Sequence, residues 1–258
     1  MRQSARSEAL DDMSMTLLLV AAGLWVGAQN AIAGGGSFVT LPALMLTGLD
    51  ARVANLTSTV AVFPGQMTTA LANRTYISSV GQVRFVALFI IAAIGGVLGA
   101  LLLLATPSAL FSRMLPWLVL AATLLFARGA FGPKLKGKGL TGGRLKAGQM
   151  LVSIYGGYFG GGIGFLMLAL FAMAGTAIRE AQSNKNMLSA VMNGTSTAVF
   201  AFSGAVHWPS AITLGLGAMA GGYLGAFAIR HVPDKAMKIA VVSIGLLLFA
   251  GLLIRDMQ

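Results

Sequence analysis

The chain contains no cysteine, which excludes a disulfide framework, thiol chemistry and any cysteine-ligated metal site. Charge is scarce too: 10% of the 258 residues are charged, and only seven are acids. A soluble domain carries about a quarter charged residues, so this chain lacks the means to coat a water-facing surface. Seven acids and two histidines provide no paired carboxylate, no His–Glu metal spacing and no nucleophile–base arrangement. Neither enzyme chemistry nor a cofactor is expected. What is present is apolar. Hydrophobic residues reach 57% with a mean hydropathy of +0.82, and runs such as 85–105 and 211–229 approach or reach the ~20 residues that cross a bilayer as a helix. Glycine, at 34 residues, suits transmembrane helices that pack closely through small side chains. The composition reads as an all-α integral membrane protein, with the lipid bilayer as its first partner.

The net charge of +11 is not a nucleic-acid signal. Six basic residues (Arg128, Lys134, Lys136, Lys138, Arg144 and Lys146) fall in one acid-free stretch, the pattern of a cytoplasmic loop; such a loop also suits anionic lipid. The first fifteen residues are polar and of mixed charge, and are expected to form a short exposed tail. The apolar run behind them shows no small-residue cleavage pattern, so a cleaved signal peptide is not expected. The chain divides into a tail (1–15), a first transmembrane repeat (16–129), a basic linker (130–146) and a second transmembrane repeat (147–254).

The repeats are visible in the letters. Gly34, Gly35 and Gly36 interrupt one apolar stretch, and Gly160, Gly161 and Gly162 interrupt another. At an offset of 127, Gly34 falls on Gly161, Phe38 on Phe165, Gly48 on Gly175, Arg52 on Arg179 and Asn55 on Gln182. Gly95-Gly96-Val97-Leu98-Gly99-Ala100 matches Gly221-Gly222-Tyr223-Leu224-Gly225-Ala226 at an offset of 126. Each triplet leads into a segment too short to span, 37–47 or 163–174, at ~1.5 Å of rise per residue. Counting each broken element as a single pass gives eight segments. The basic residues favour inverted over parallel repeats: Arg230, Lys235 and Lys238 place 230–238 on the cytoplasmic side, opposite its counterpart at 105–112. Inversion requires an odd number of crossings per half, for instance three full helices and a re-entrant hairpin around the glycines.

Duplicated halves with glycine-interrupted segments at matching places point to a transporter site. The first turn of a half-helix offers unpaired N–H groups and a partial positive charge, and so attracts anions. Asn55, Thr57 and Ser58 in the first half, with Gln182, Asn184 and Asn186 in the second, supply short polar groups for an oxyanion cradle. Lys185 adds a full charge, and an ionisable residue amid membrane helices is a functional candidate. Plainer alternatives stand beside each: close packing for the glycines, helix stitching for the polar residues, and snorkelling for Lys185. Gln29 and Asn30 approach the first triplet. Arg52 and Arg179 are expected to be interfacial anchors, and His207 beside Trp208 to be interfacial. Glu180 is the single acid near a polar cluster and gives little support to carboxylate-based proton coupling.

The stretches Gly34-Gly35-Gly36-Ser37-Phe38-Val39-Thr40-Leu41-Pro42 and Gly48-Leu49-Asp50-Ala51-Arg52-Val53-Ala54-Asn55-Leu56-Thr57-Ser58 resemble the sulfite exporter TauE/SafE family. The second half agrees through Gly160-Gly161-Gly162-Ile163-Gly164-Phe165, Ala181-Gln182-Ser183-Asn184-Lys185 and Gly204-Ala205-Val206-His207-Trp208. Ser183-Asn184-Lys185 stands where the family usually carries Thr-Ser. The resemblance, over residues 15–254, implies a multi-pass permease of the bacterial inner membrane. Its substrate would be a small anion: sulfite, sulfoacetate, thiosulfate or another organic anion. An anion channel and a non-transporting scaffold or assembly factor are the rival expectations, and self-association is left open.

Overall fold

The computed structural model describes residues 2–32, 37–72, 74–132, 140, 142–228 and 234–256. Gly34, Gly35 and Gly36 lie outside the described residues, as does most of the basic linker. All regular structure among the described residues is helical apart from one isolated bridge. In chain order the helices are α1 (Arg2–Ile32), α2 (Ser37–Leu46), α3 (Ala51–Ala72), α4 (Phe85–Ala105), α5 (Ser108–Phe131), α6 (Gly142–Tyr158), α7 (Ile163–Met173), α8 (Ile178–Ala201), α9 (Trp208–Ala228) and α10 (Asp234–Asp256). The polar opening residues, expected as a separate tail, continue α1 from Arg2. Nothing in the stretch 2–16 breaks a helix: it holds neither Pro nor Gly.

Helices 85–105 and 108–129 are long and apolar enough to cross a membrane, as is 13–30 within α1. Their outward stripes are apolar as well as their inward ones: on α4, Val86, Ile90, Ile94 and Leu101 are exposed while Leu88, Ala92 and Leu103 are buried. A helix apolar all round belongs in lipid or a large core. α3 and α8 are more polar and occupy the middle. Every residue from Ala54 to Val62 is buried, so the first half of α3 is enclosed on all sides.

The pairings of helices come in matched couples. α1 packs on α9, and α6 on α4; α3 packs on α9, and α8 on α4. α3 also packs on α8, and α5 on α10. Each half of the chain thus wraps elements of the other. Glycine permits the closest approaches: a Cβ on Gly27 would land on the carbonyl of Ala218, and one on Gly99 on that of Ile154. Small residues at such crossings let backbones meet where lipid supplies no hydrophobic drive.

Directions follow from the contacts. α6 and α7 form an antiparallel hairpin, since Gly148 lies beside Leu170 and Gly156 beside Ile163. α1 and α2 also pack together. Arg52, at the start of α3, donates through Nη1 to the carbonyls of Leu104 (3.1 Å) and Thr106 (3.0 Å) at the end of α4. This arginine, expected as an interfacial anchor, therefore caps a helix, meeting the carbonyls that a helix C-terminus leaves unpaired. α3 and α8 run antiparallel, because the start of each meets the loop that follows the other.

Candidate functional site

The turn between α6 and α7 is the best-defined part of the site. α6 ends at the buried Tyr158, and α7 starts only five residues later at Ile163. Gly160 (φ 78°) and Gly162 (φ 74°) are left-handed, a conformation that costs other residues roughly 1–2 kcal/mol. Gly162 caps α7 without a side-chain bond, and its carbonyl accepts from Phe165 N (3.1 Å) and Leu166 N (3.4 Å). The N–H groups of Gly160, Gly161 and Gly162 donate no backbone hydrogen bond among the described residues. With the first turn of α7 they form a row of donors in a buried setting, where the helix dipole adds positive potential.

Asn55 reaches this turn from the other half of the chain. It is 2% exposed, and its Nδ2 donates to the carbonyl of Tyr158 at 3.0 Å. A carbonyl only accepts, so the amide nitrogen must face Tyr158 and Oδ1 must face away. That oxygen is buried and has no hydrogen-bond partner.

The remaining polar residues fall into separate groups. Asp50 caps α3, its Oδ1 accepting from Arg52 N at 3.0 Å. Thr57 Oγ1 accepts from His207 N at 3.1 Å, which pins the loop after α8. At the counterpart position, Asn184 accepts from Ser78 N (3.2 Å) and donates to Ser78 O (3.0 Å), which pins the loop after α3. That loop, expected as a merely polar connection, tucks Val80 and Val83 into the core around a small bridge. Ser58 pairs with the Thr40 hydroxyl on α2. Gln182 and Ser183 line an open cavity of about 270 Å³ with Tyr76, Ile178 and Arg179. Asn186 is half-buried beyond them.

Lys185 is 2% exposed. Among the described residues it makes no hydrogen bond and no ion pair. Its counterpart at the offset of 127 is the neutral Ser58. The nearest acid in the chain, Glu180, is five residues away on the same helix, a spacing that points it to another face of α8. No cluster of His, Asp and Glu able to hold a metal ion occurs among the described residues.

The structure therefore joins Asn55 to the Gly160–Gly162 turn across the two halves, and commits Thr57 and Asn184 to holding loops. Neither the acceptor role of Tyr158 nor the bond between Gln66 and Asn193 was legible in the letters. Asn193 Nδ2 donates to Gln66 Oε1 at 2.6 Å, and these two are themselves 127 apart. The offset alone was the available signal, since residues that match in a duplicated chain are the ones that can meet on its axis.

Comparison with known proteins gives a consistent result. The family profile described as "Sulfite exporter TauE/SafE" matches residues 19–252. A "Probable membrane transporter protein" of Haemophilus influenzae is 27% identical over 92% of this chain and 94% of its own length. "Probable membrane transporter protein ORF9" of a Sinorhizobium species is 29% identical over 92% and 93%. "Probable membrane transporter protein YfcA" of Escherichia coli K12 is 26% identical over 88% and 85%. No solved structure matches.

Proposed function

The chain belongs to the TauE/SafE family, a family of membrane transporters, and on that premise we propose that it is a multi-pass inner-membrane permease for a small anion. Sulfite or a related organosulfur or organic anion is the substrate, moved by alternating access between two inverted repeats. The observation that carries this is Lys185. A lysine only 2% exposed and without a partner among the described residues carries a cost on the order of several kcal/mol, and a bound anion lowers it. The free N–H groups at Gly160–Gly162 add donors without adding charge.

The inverted arrangement is supported by the antiparallel run of α3 against α8 and by the exchanged couples of helices. Inversion requires an odd number of crossings per half, and the short α6–α7 hairpin fits a re-entrant element that adds none. Orientation follows from charge. Arg74, Arg84, Arg128, Arg144 and Arg179 gather at the end where α3 finishes and α8 starts, whereas Arg52 and Arg113 stand at the other. The positive-inside rule makes the first end cytoplasmic.

The test is uptake and efflux of labelled sulfite, thiosulfate, sulfoacetate and sulfate in proteoliposomes. Saturable counterflow of at least one is expected. Ion current far above carrier rates would replace the carrier with a channel. Absence of flux with all four, in folded protein, would leave a scaffold.

A further inference from the structure

Asn55 is bonded through Nδ2 to Tyr158 O, two residues before Gly160 in the α6–α7 turn, and its Oδ1 is buried with no partner among the described residues. Every other feature of that turn suits an anion, yet an amide oxygen repels one. A buried acceptor left unpaired is costly, so something must donate to it. A metal cation is a poor occupant. No acid occurs between Asp50 and Glu180 in the chain, so α6, α7 and the interior of α3 offer no carboxylate to balance it. The start of α7 sets a positive potential there. The remaining donor is a neutral O–H or N–H group.

Building on the proposed anion site, we infer that the substrate is an anion carrying its own hydrogen-bond donor, which Asn55 Oδ1 accepts while the Gly160–Gly162 N–H groups hold the charge. Two sources share this chemistry: a singly protonated inorganic oxyanion and a hydroxylated organic sulfonate. A site built to pair with a donor rejects the matched compound that lacks it, because the acceptor is then stranded. Fully ionised tetrahedral dianions are disfavoured for the same reason.

The experiment uses the purified full chain and two matched pairs of monoanions, with binding followed by calorimetry. Isethionate is compared with ethanesulfonate, which differs by the hydroxyl group alone. Hydrogen sulfite, HO–SO2−, is compared with methanesulfinate, CH3–SO2−, in mildly acidic buffer. A preference for the donor-bearing member of at least one pair is expected, of roughly tenfold to a hundredfold, and the pair that shows it identifies the source. In Asn55→Leu that ratio should fall towards one. A ratio near one for both pairs in the wild-type chain overturns the inference and leaves the anion site standing, with water as the partner of Asn55. Binding of none of the four removes the anion site together with the inference. A preference retained in Asn55→Leu moves the acceptor elsewhere and overturns the role given to Asn55.

Discussion

Lys185 and Ser58 occupy the same place in the two halves and differ by a whole charge. Ser58 is closed off by the Thr40 hydroxyl, whereas Lys185 is buried and unpaired, so the two halves contribute unequally to whatever binds between them. Replacing Lys185 by Gln removes a charge-assisted bond of about 1.5–3 kcal/mol, and affinity for the transported anion should fall by roughly ten- to a hundredfold. Lys185→Arg should keep the charge and lose the geometry, giving an intermediate affinity. Calorimetry on the purified variants measures both, and wild-type affinity in Lys185→Gln would mean that this lysine does not touch the anion. Residue roles were the least legible part of the sequence. Asn55, Thr57 and Asn184 stand out there as polar letters in apolar runs. Their partners, the backbone of Tyr158, His207 and Ser78, lie more than 100 positions away and carry no letter that marks a carbonyl or an N–H.

At the scale of elements the sequence was far more informative. The limits of α3 and α4 follow directly from the letters: Asp50 caps one, and the turn at Thr106-Pro107 closes the other. The second glycine break was legible as a break. That the second makes a hairpin, rather than a kink in one pass, depended on contacts between α6 and α7 that periodicity does not encode. Gly162 is the element on which this hairpin turns. It is left-handed, and a Cβ there would lie 3.3 Å from that of Ala122. Gly162→Leu should abolish anion binding in a protein that still inserts and purifies, because the side chain strains the left-handed turn and presses on Ala122, shifting the N–H groups at the start of α7. Unchanged affinity would show that the start of α7 is not part of the site.

The whole molecule makes a topological prediction that the absence of cysteine renders simple to check. Gln82, after α3, and Ser203, after α8, occupy corresponding loops and are both exposed. Single cysteines at these positions should be labelled by an impermeant thiol reagent from opposite sides of the membrane, Gln82→Cys from the cytoplasmic side. Labelling of both from one side would restore parallel repeats. Sequence reasoning favoured inversion on the basis of a few lysines and arginines, and the antiparallel course of α3 and α8 supports the same choice on independent grounds.

The exchange of partners between halves also bears on how the protein is made. While the ribosome is still synthesising the linker, α1 lacks α9 and α4 lacks both α6 and α8, so the nascent first half holds Asn55 and Thr57 in lipid with their partners not yet translated. Long-range pairing of this kind delays closure, and an unpartnered half is a natural target for membrane proteases. Expressed alone, residues 1–132 should therefore be degraded, whereas co-expression with 140–258 should rescue both fragments, as read by their steady-state amounts in the membrane. Stable accumulation of the first fragment by itself would mean that it packs in some other way until its partner arrives.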